Sequence, residues 1–160
     1  MAILYRAHKF PNGYSHTGQF ENPYLKMPRS PLTSPQWLHK ATDDWFQGSF
    51  KTKFRSGALF GTGNVEQAKK YLTGGAVLIN VWPTSSYKLC YSPDVYDLFN
   101  TYLEMCLDGE GVTAAKFANQ MGNLGYKFFE NSGFEEAAAS GCEVMITADT
   151  FGYEVVQVTE

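Results

Sequence analysis

Little in this sequence points to metal or disulfide chemistry. Cys90, Cys106 and Cys142 have neither paired spacing nor nearby metal partners, and His8 and His16 lack ligand-spaced neighbours, so reduced thiols in a cytosolic protein are expected. A G-x-G-x-x-G run and a terminal Gly-Lys-Ser/Thr are both missing, which disfavours a conventional Rossmann or P-loop phosphate site. There is no elbow-like serine motif, and the adjacent Asp43 and Asp44 do not face each other across a sugar; a hydrolase of either kind is disfavoured. The Met1 segment lacks the apolar run of a secretion signal, and no stretch is long enough to span a bilayer, so a cytoplasmic protein without membrane contact is expected. Charge is modest as well: the formal net charge is -3 and the pI about 5.6, which gives no whole-surface footprint for nucleic acid. A local basic groove stays open.

What is present suits one domain over residues 1–160, long enough for a real core. The informative stretch runs from Phe54 to Pro83. Its apolar segment Gly57-Ala58-Leu59-Phe60-Gly61 turns at Thr62-Gly63-Asn64 into a helix that Asn64 caps, with Gln67 at the third helical position. Gly74-Gly75 ends that helix, and Ala76 to Trp82 reads as a largely buried strand. Upstream, Ile3 to Ala7 forms a first strand with Arg6 near its end. Pro11 to Pro35 is rich in Pro, Gly, Asn and Ser, so it reads as a long irregular segment that Tyr14, Phe20 and Tyr24 can anchor, a lid or binding surface, with disorder as the competing account. Lys26 and Arg29 within it could attract phosphate. Ser34-Pro35 starts a helix whose Trp37, Ala41 and Trp45 form a packed stripe. Ser92-Pro93 starts another, in which Val95, Leu98, Phe99, Tyr102, Leu103 and Cys106 recur at helical intervals before Asp108-Gly109. Asp94 and Asp97 fall in its first turns, where the helix dipole favours negative charge. A third helical region extends from Thr113 to about Asn131, its core stripe carrying Phe117, Met121, Leu124, Phe128 and Phe129. Cys142 to Ile146 and Tyr153 to Val158 read as strands around a turn at Asp149 to Gly152. The fold class is α+β, a single domain with a mixed or antiparallel sheet and peripheral helices.

The order of Leu4-Tyr5-Arg6-Ala7, then Ser56-Gly57-Ala58-Leu59-Phe60 with Ala68 and Tyr71 after it, then Glu143-Val144-Met145-Ile146, resembles the three separated motifs of the ADP-ribosyltransferase fold. The resemblance implies a cleft that takes NAD⁺ as co-substrate and a glycosyl transfer of ADP-ribose. Arg6 would help hold NAD⁺, Ser56 would support the nicotinamide-side ribose or the Arg6 geometry, and Gly57 would leave room for the carboxamide. Tyr71 would stack on nicotinamide. Glu143 would be catalytic, accepting a ribose hydroxyl and stabilising positive charge at the anomeric carbon. Two positions depart from the pattern: Leu59 stands where many relatives have tyrosine, and Gly141 stands where arginine-modifying relatives often carry a second glutamate. Arginine is therefore disfavoured as acceptor, while another amino acid of a protein, a nucleic-acid group or a small molecule stays open. A monomer is expected. The competing account is a catalytically inactive relative that acts as a protein-binding inhibitor or interaction module through Pro11 to Pro35. Each residue also has a plain structural explanation: Arg6 at the surface, Ser56 in a turn, Tyr71 in a helix core, Glu143 as a strand-edge charge.

Overall fold

A computed structural model describes residues 2–30, 36–98, 100, 101 and 114–156. Asn64 caps as its side chain predicts: Oδ1 accepts from the Gln67 amide at 3.2 Å, and α3 runs Val65–Lys69 behind it. The helix is shorter than its sequence pattern, and the chain reaches Gly74 and Gly75 through turns, with both glycines at positive φ (58° and 84°). The β-branched run that follows forms β4 (Val77–Pro83). Before this unit lie β1 (Tyr5–His8), β2 (Thr17–Glu21), α1 (Gln36–Phe50), the single turn α2 (Phe54–Gly57) and β3 (Leu59–Thr62). After it come β5 (Tyr87–Tyr91), α4 (Ala114–Gly122), β6 (Lys127–Glu130), α5 (Phe134–Ala139), β7 (Glu143–Ala148) and β8 (Thr150–Val155).

The eight strands form one sheet in the order β2-β8-β4-β1-β3-β7-β5-β6, and each described pairing is antiparallel. The protein is thus a single α+β domain with peripheral helices. Its sheet falls into two halves that meet at β1 and β3. From Tyr5 to His8, β1 pairs residue by residue with β4, but it shares with β3 one residue pair, Tyr5 with Thr62. Thr62 in turn faces Glu143 on β7. Strands β7 and β8 are consecutive, yet β7 pairs with β3 and β5 while β8 pairs with β2 and β4. Their junction is a corner at Asp149, not a hairpin, and the Ser85 hydroxyl holds it by accepting from the amides of Asp149 (3.1 Å) and Thr150 (3.4 Å).

Both faces of the second half are covered. Alternation along β7 sends Val144 and Ile146 into one cluster, with Leu4, Leu59, Leu89, Ala137 and Phe151. Met145 goes into the other, with Leu38, Phe46, Phe54, Cys90, Phe117 and Met121 beneath α1, α2 and α4. Cys90 and Cys142 are buried free thiols.

Several elements differ from their sequence pattern. The segment 11–35 contains β2, which exists because β8 offers it five backbone partners, from Thr17 with Glu154 to Glu21 with Thr150. The buried face of α1 is Leu38, Thr42, Asp43 and Phe46, one position round from the expected tryptophan stripe; Trp37 is exposed and Ala41 and Trp45 are half-buried. The helix expected to Asn131 ends at Gly122, and after Gly125 (φ 74°) Phe128 and Phe129 point to opposite sides of β6. Phe128 stacks on Phe50 and Phe129 on Tyr91. Strand β5 has no counterpart in the sequence reading. Ser34-Pro35, Phe99, Tyr102, Leu103, Cys106, Asp108-Gly109, Thr113 and Val158 lie outside the described residues; at Ser92 the hydroxyl does accept from the Asp94 amide at 3.1 Å.

Two glycines separate crowding from backbone entropy. A Cβ on Gly63, in the β3–α3 turn, would lie 1.7 Å from the Ala138 carbonyl oxygen of α5, whereas one on Gly48 in α1 meets nothing within 4 Å. Gly63→Ala should therefore cost roughly 1–3 kcal/mol. Gly48→Ala should add about 0.5–1 kcal/mol. Urea unfolding of both variants checks the pair, and equal shifts of the same sign would contradict this packing.

Candidate functional site

Beyond the Tyr5–Thr62 pair the strands β1 and β3 separate, and a cleft of about 890 Å³ opens there. Its wall includes residues from several pieces of chain: Arg6 and His8 of β1, Tyr24 and Arg29 of the 22–30 segment, Arg55 and Phe60 around β3, and Tyr71 and Asp97. Glu143, the first residue of β7, also lines it. Four cationic side chains, Arg6, Lys9, Arg29 and Arg55, face two carboxylates, Asp97 and Glu143. The cleft is therefore locally cationic in a protein whose net charge is -3.

Arg6 crosses the gap between the two half-sheets. Its Nη1 donates to the Phe60 carbonyl at 2.9 Å, its Nη2 to the Tyr24 hydroxyl at 3.3 Å and its Nε to His8 Nδ1 at 2.8 Å. Burial lowers its pKa, and Tyr24 opposes that shift. Because His8 Nδ1 accepts this bond, His8 is the neutral tautomer protonated at Nε2. Its ring lies 4.4 Å from that of Phe20 and 4.6 Å from that of Phe10.

Glu143 is held from the other side. Arg55 Nη1 donates to its Oε1 at 2.9 Å, with side-chain exposures of 15% and 14%. Burial pushes the Glu143 carboxyl up, Arg55 pulls it down and Asp97 pushes it up again. Arg55 is fixed by the turn α2, whose start is bound by a buried carboxylate. Asp43 Oδ1 accepts from the amides of Arg55 (3.2 Å) and Ser56 (3.1 Å), and Oδ2 accepts from the Ser56 hydroxyl (2.6 Å). Three donors on one carboxylate fasten α1 to α2.

Of the residues suggested by sequence, Arg6, Tyr71 and Glu143 line this common cleft. Ser56 and Gly57 are not among its lining residues. Ser56 is buried with its hydroxyl turned to Asp43, and the Gly57 carbonyl accepts from Asn22 Nδ2 at 3.1 Å, so both act in the frame behind Arg55. Tyr71 sits two residues past the end of α3. It is 54% exposed and donates from its hydroxyl to Asp97 Oδ2 at 2.6 Å; burial of the hydroxyl and this bond raise its pKa. Sequence reasoning missed Asp43, Arg55 and His8. For Asp43 a signal existed in the phase of α1, since position 43 follows Leu38 and Thr42 on the buried face. Nothing in the sequence marks Arg55 as the partner of a residue 88 positions away.

Comparison of the chain with protein-family models, with curated protein sequences and with solved structures finds no match. No group of metal-ligating side chains occurs among the described residues, and none of their helices is long and apolar enough to cross a membrane.

The environment of His8 gives a pH dependence. Burial first, then the cations Arg6 and Arg29, lower its pKa from 6.5 to about 3. The unfolded chain gains this proton near pH 6.5 and the folded chain only near pH 3, so stability is intact above the upper value and is lost as the pH falls between them. The slope is about 1.4 kcal/mol per pH unit. In His8→Asn the Asn Oδ1 can keep accepting from Arg6 Nε without the titration. Urea unfolding at about pH 7 and about pH 5 should show the wild type losing about 2 kcal/mol more than the variant across that interval. Parallel losses would mean that His8 is not a buried neutral imidazole.

Proposed function

We propose that this chain transfers ADP-ribose from NAD⁺ to an acceptor in the cleft between β1 and β3. The observation that carries the reading is the meeting of Arg6, Tyr71 and Glu143 in one cleft from widely separated positions in the chain. The volume of about 890 Å³ lies within the usual range for small-molecule sites. Its cationic wall suits a diphosphate, and the half-exposed ring of Tyr71 offers a face for an aromatic base.

NAD⁺ would supply the ADP-ribosyl group and a nicotinamide leaving group. The residues do the rest by placement. Glu143, at the parting of the sheet, presents a carboxylate where positive charge develops as the glycosidic bond lengthens, and Arg55 fixes its orientation. Arg6 holds β1 against β3 at the cleft's edge, so that Glu143 and the β1 wall keep their spacing. Asp43 and Ser56 hold Arg55. With glycine at position 141, arginine remains disfavoured as the acceptor.

The Arg55–Glu143 ion pair favours a second reading, in which Glu143 is a structural anion and the cleft binds a partner without turnover. One substitution separates the two. Glu143→Gln keeps an oxygen for Arg55 and nearly the same volume, so NAD⁺ affinity by calorimetry should change little. Turnover should fall about 10²–10³-fold in both nicotinamide release and ADP-ribose attachment. Unchanged turnover in an active preparation would remove Glu143 from the chemistry, and a wild type that binds NAD⁺ without releasing nicotinamide would favour the second reading.

A further inference from the structure

The three guanidinium groups of the cleft differ in what they have left to give. Arg6 donates from Nε, Nη1 and Nη2 to three protein acceptors. Arg55 gives its Nη1 to Glu143 and to Met145 Sδ. In Arg29 two donors, Nε and Nη2, are both buried and have no hydrogen-bond partner among the described residues. Those two atoms form one edge of the guanidinium, with parallel N–H donors at the spacing that matches two oxygens of a phosphate. Rings contact the Arg29 guanidinium instead. Its Cζ lies 4.2 Å from the centroid of Tyr24 and 4.0 Å from that of Phe60.

Such a group costs free energy where it lies. Removing an ion and two donors from water without partners is unfavourable, and burial accordingly lowers the Arg29 pKa to about 10. Cation–π contacts are less directional than hydrogen bonds. The backbone beneath is anchored, because the Arg29 amide donates to the Ser56 carbonyl at 2.8 Å. The Cα of Arg29 is thus tied to the α2 turn that also carries Arg55, while its head group has no hydrogen bond from Nε or Nη2 to break.

We propose that the Nε–Nη2 edge of Arg29 is the anion-receiving group of the cleft, taking the diphosphate of the bound ligand, while Arg6 serves as a fixed strut. Entry of the anion draws the guanidinium outward along Tyr24 and Phe60 and supplies the two missing acceptors. The identity of the ligand as a dinucleotide rests on the reading above; the anion subsite itself does not, and inorganic pyrophosphate is enough to probe it.

The test pairs stability with binding in Arg29→Met and Arg29→Lys, using pyrophosphate and NAD⁺ in separate calorimetric titrations. Methionine keeps length and apolar contact but removes the unpartnered cation. The melting temperature of free Arg29→Met should hold or rise by about 2–8 °C. Its pyrophosphate affinity should fall about ten- to hundredfold. Lysine, which keeps the charge without the fork, should fall between the two. Affinity for pyrophosphate unchanged in Arg29→Met would overturn the proposal, as would a lower melting temperature together with an affinity loss that lysine does not lessen, the signature of a merely structural residue. Arg29-dependent binding of pyrophosphate without any binding of NAD⁺ would sustain the subsite and sink the NAD⁺ reading. NAD⁺ binding equal in wild type and Arg29→Met would do the reverse.

Discussion

Where β1 and β3 part after a single residue pair, the guanidinium of Arg6 carries the connection between the two halves of the sheet. Its bond to the Phe60 carbonyl replaces part of the ladder that the strands would otherwise make with each other. A charged side chain can span a gap that a backbone hydrogen bond cannot, so the sheet is continuous in order and yet open enough to hold a cleft. This works only while His8 stays neutral, since Nδ1 must accept from Arg6 Nε. The second fastening is Asp43, whose carboxylate binds three donors of residues 55 and 56 and so fixes the turn that aims Arg55. Glu143, opposite Thr62 and held by Arg55, depends on both.

Much of this was legible where chemistry is local. The Asn64 cap, the buried run of β4 and most of β7, read from Cys142 to Ile146, follow from short-range patterns, and three of the five suggested site residues line one cleft. What escaped depends on partners distant in sequence. Strand β2 lies in a stretch whose composition favours turns, and its extended form comes from the ladder with β8. Phe128 and Phe129 fit a helical stripe as well as a strand until Gly125 and β5 decide between them. Asp43 sits beside Asp44, which makes an exposed ion pair with Lys40, and adjacent acidic residues read as a solvated face. The buried role of Asp43 appears only when α2 is laid against α1.

Phe60 shows how one apolar residue organises a polar site. The Cζ of Arg29 lies 4.0 Å from its ring centroid and the Cζ of Arg55 lies 4.4 Å away. The negative faces of an aromatic ring attract cations, which offsets part of the repulsion between the two. Its neighbour Leu59, at the position where tyrosine would be expected from the resemblance, is 3% exposed and belongs to the core. An aromatic ring is thus present beside the cleft at position 60, but it offers no hydroxyl, and polar work falls to the arginines.

The placement of β8 between β2 and β4 carries a consequence for how the chain acquires its structure. The hydroxyl of Tyr153 on β8 reaches the carbonyl of Ser15 across 138 residues of sequence, while β4 waits for the same strand on its open side. Closing so large a loop must precede any reward from the contacts it makes, so this half of the sheet should form after the more locally connected strands. Until it does, the apolar ladder of Leu78, Ile79 and Val81 presents an unpaired edge, the feature by which nascent chains find one another. The yield of refolding should therefore be set by protein concentration during this interval, through a race between β8 and a neighbouring molecule for the same backbone groups.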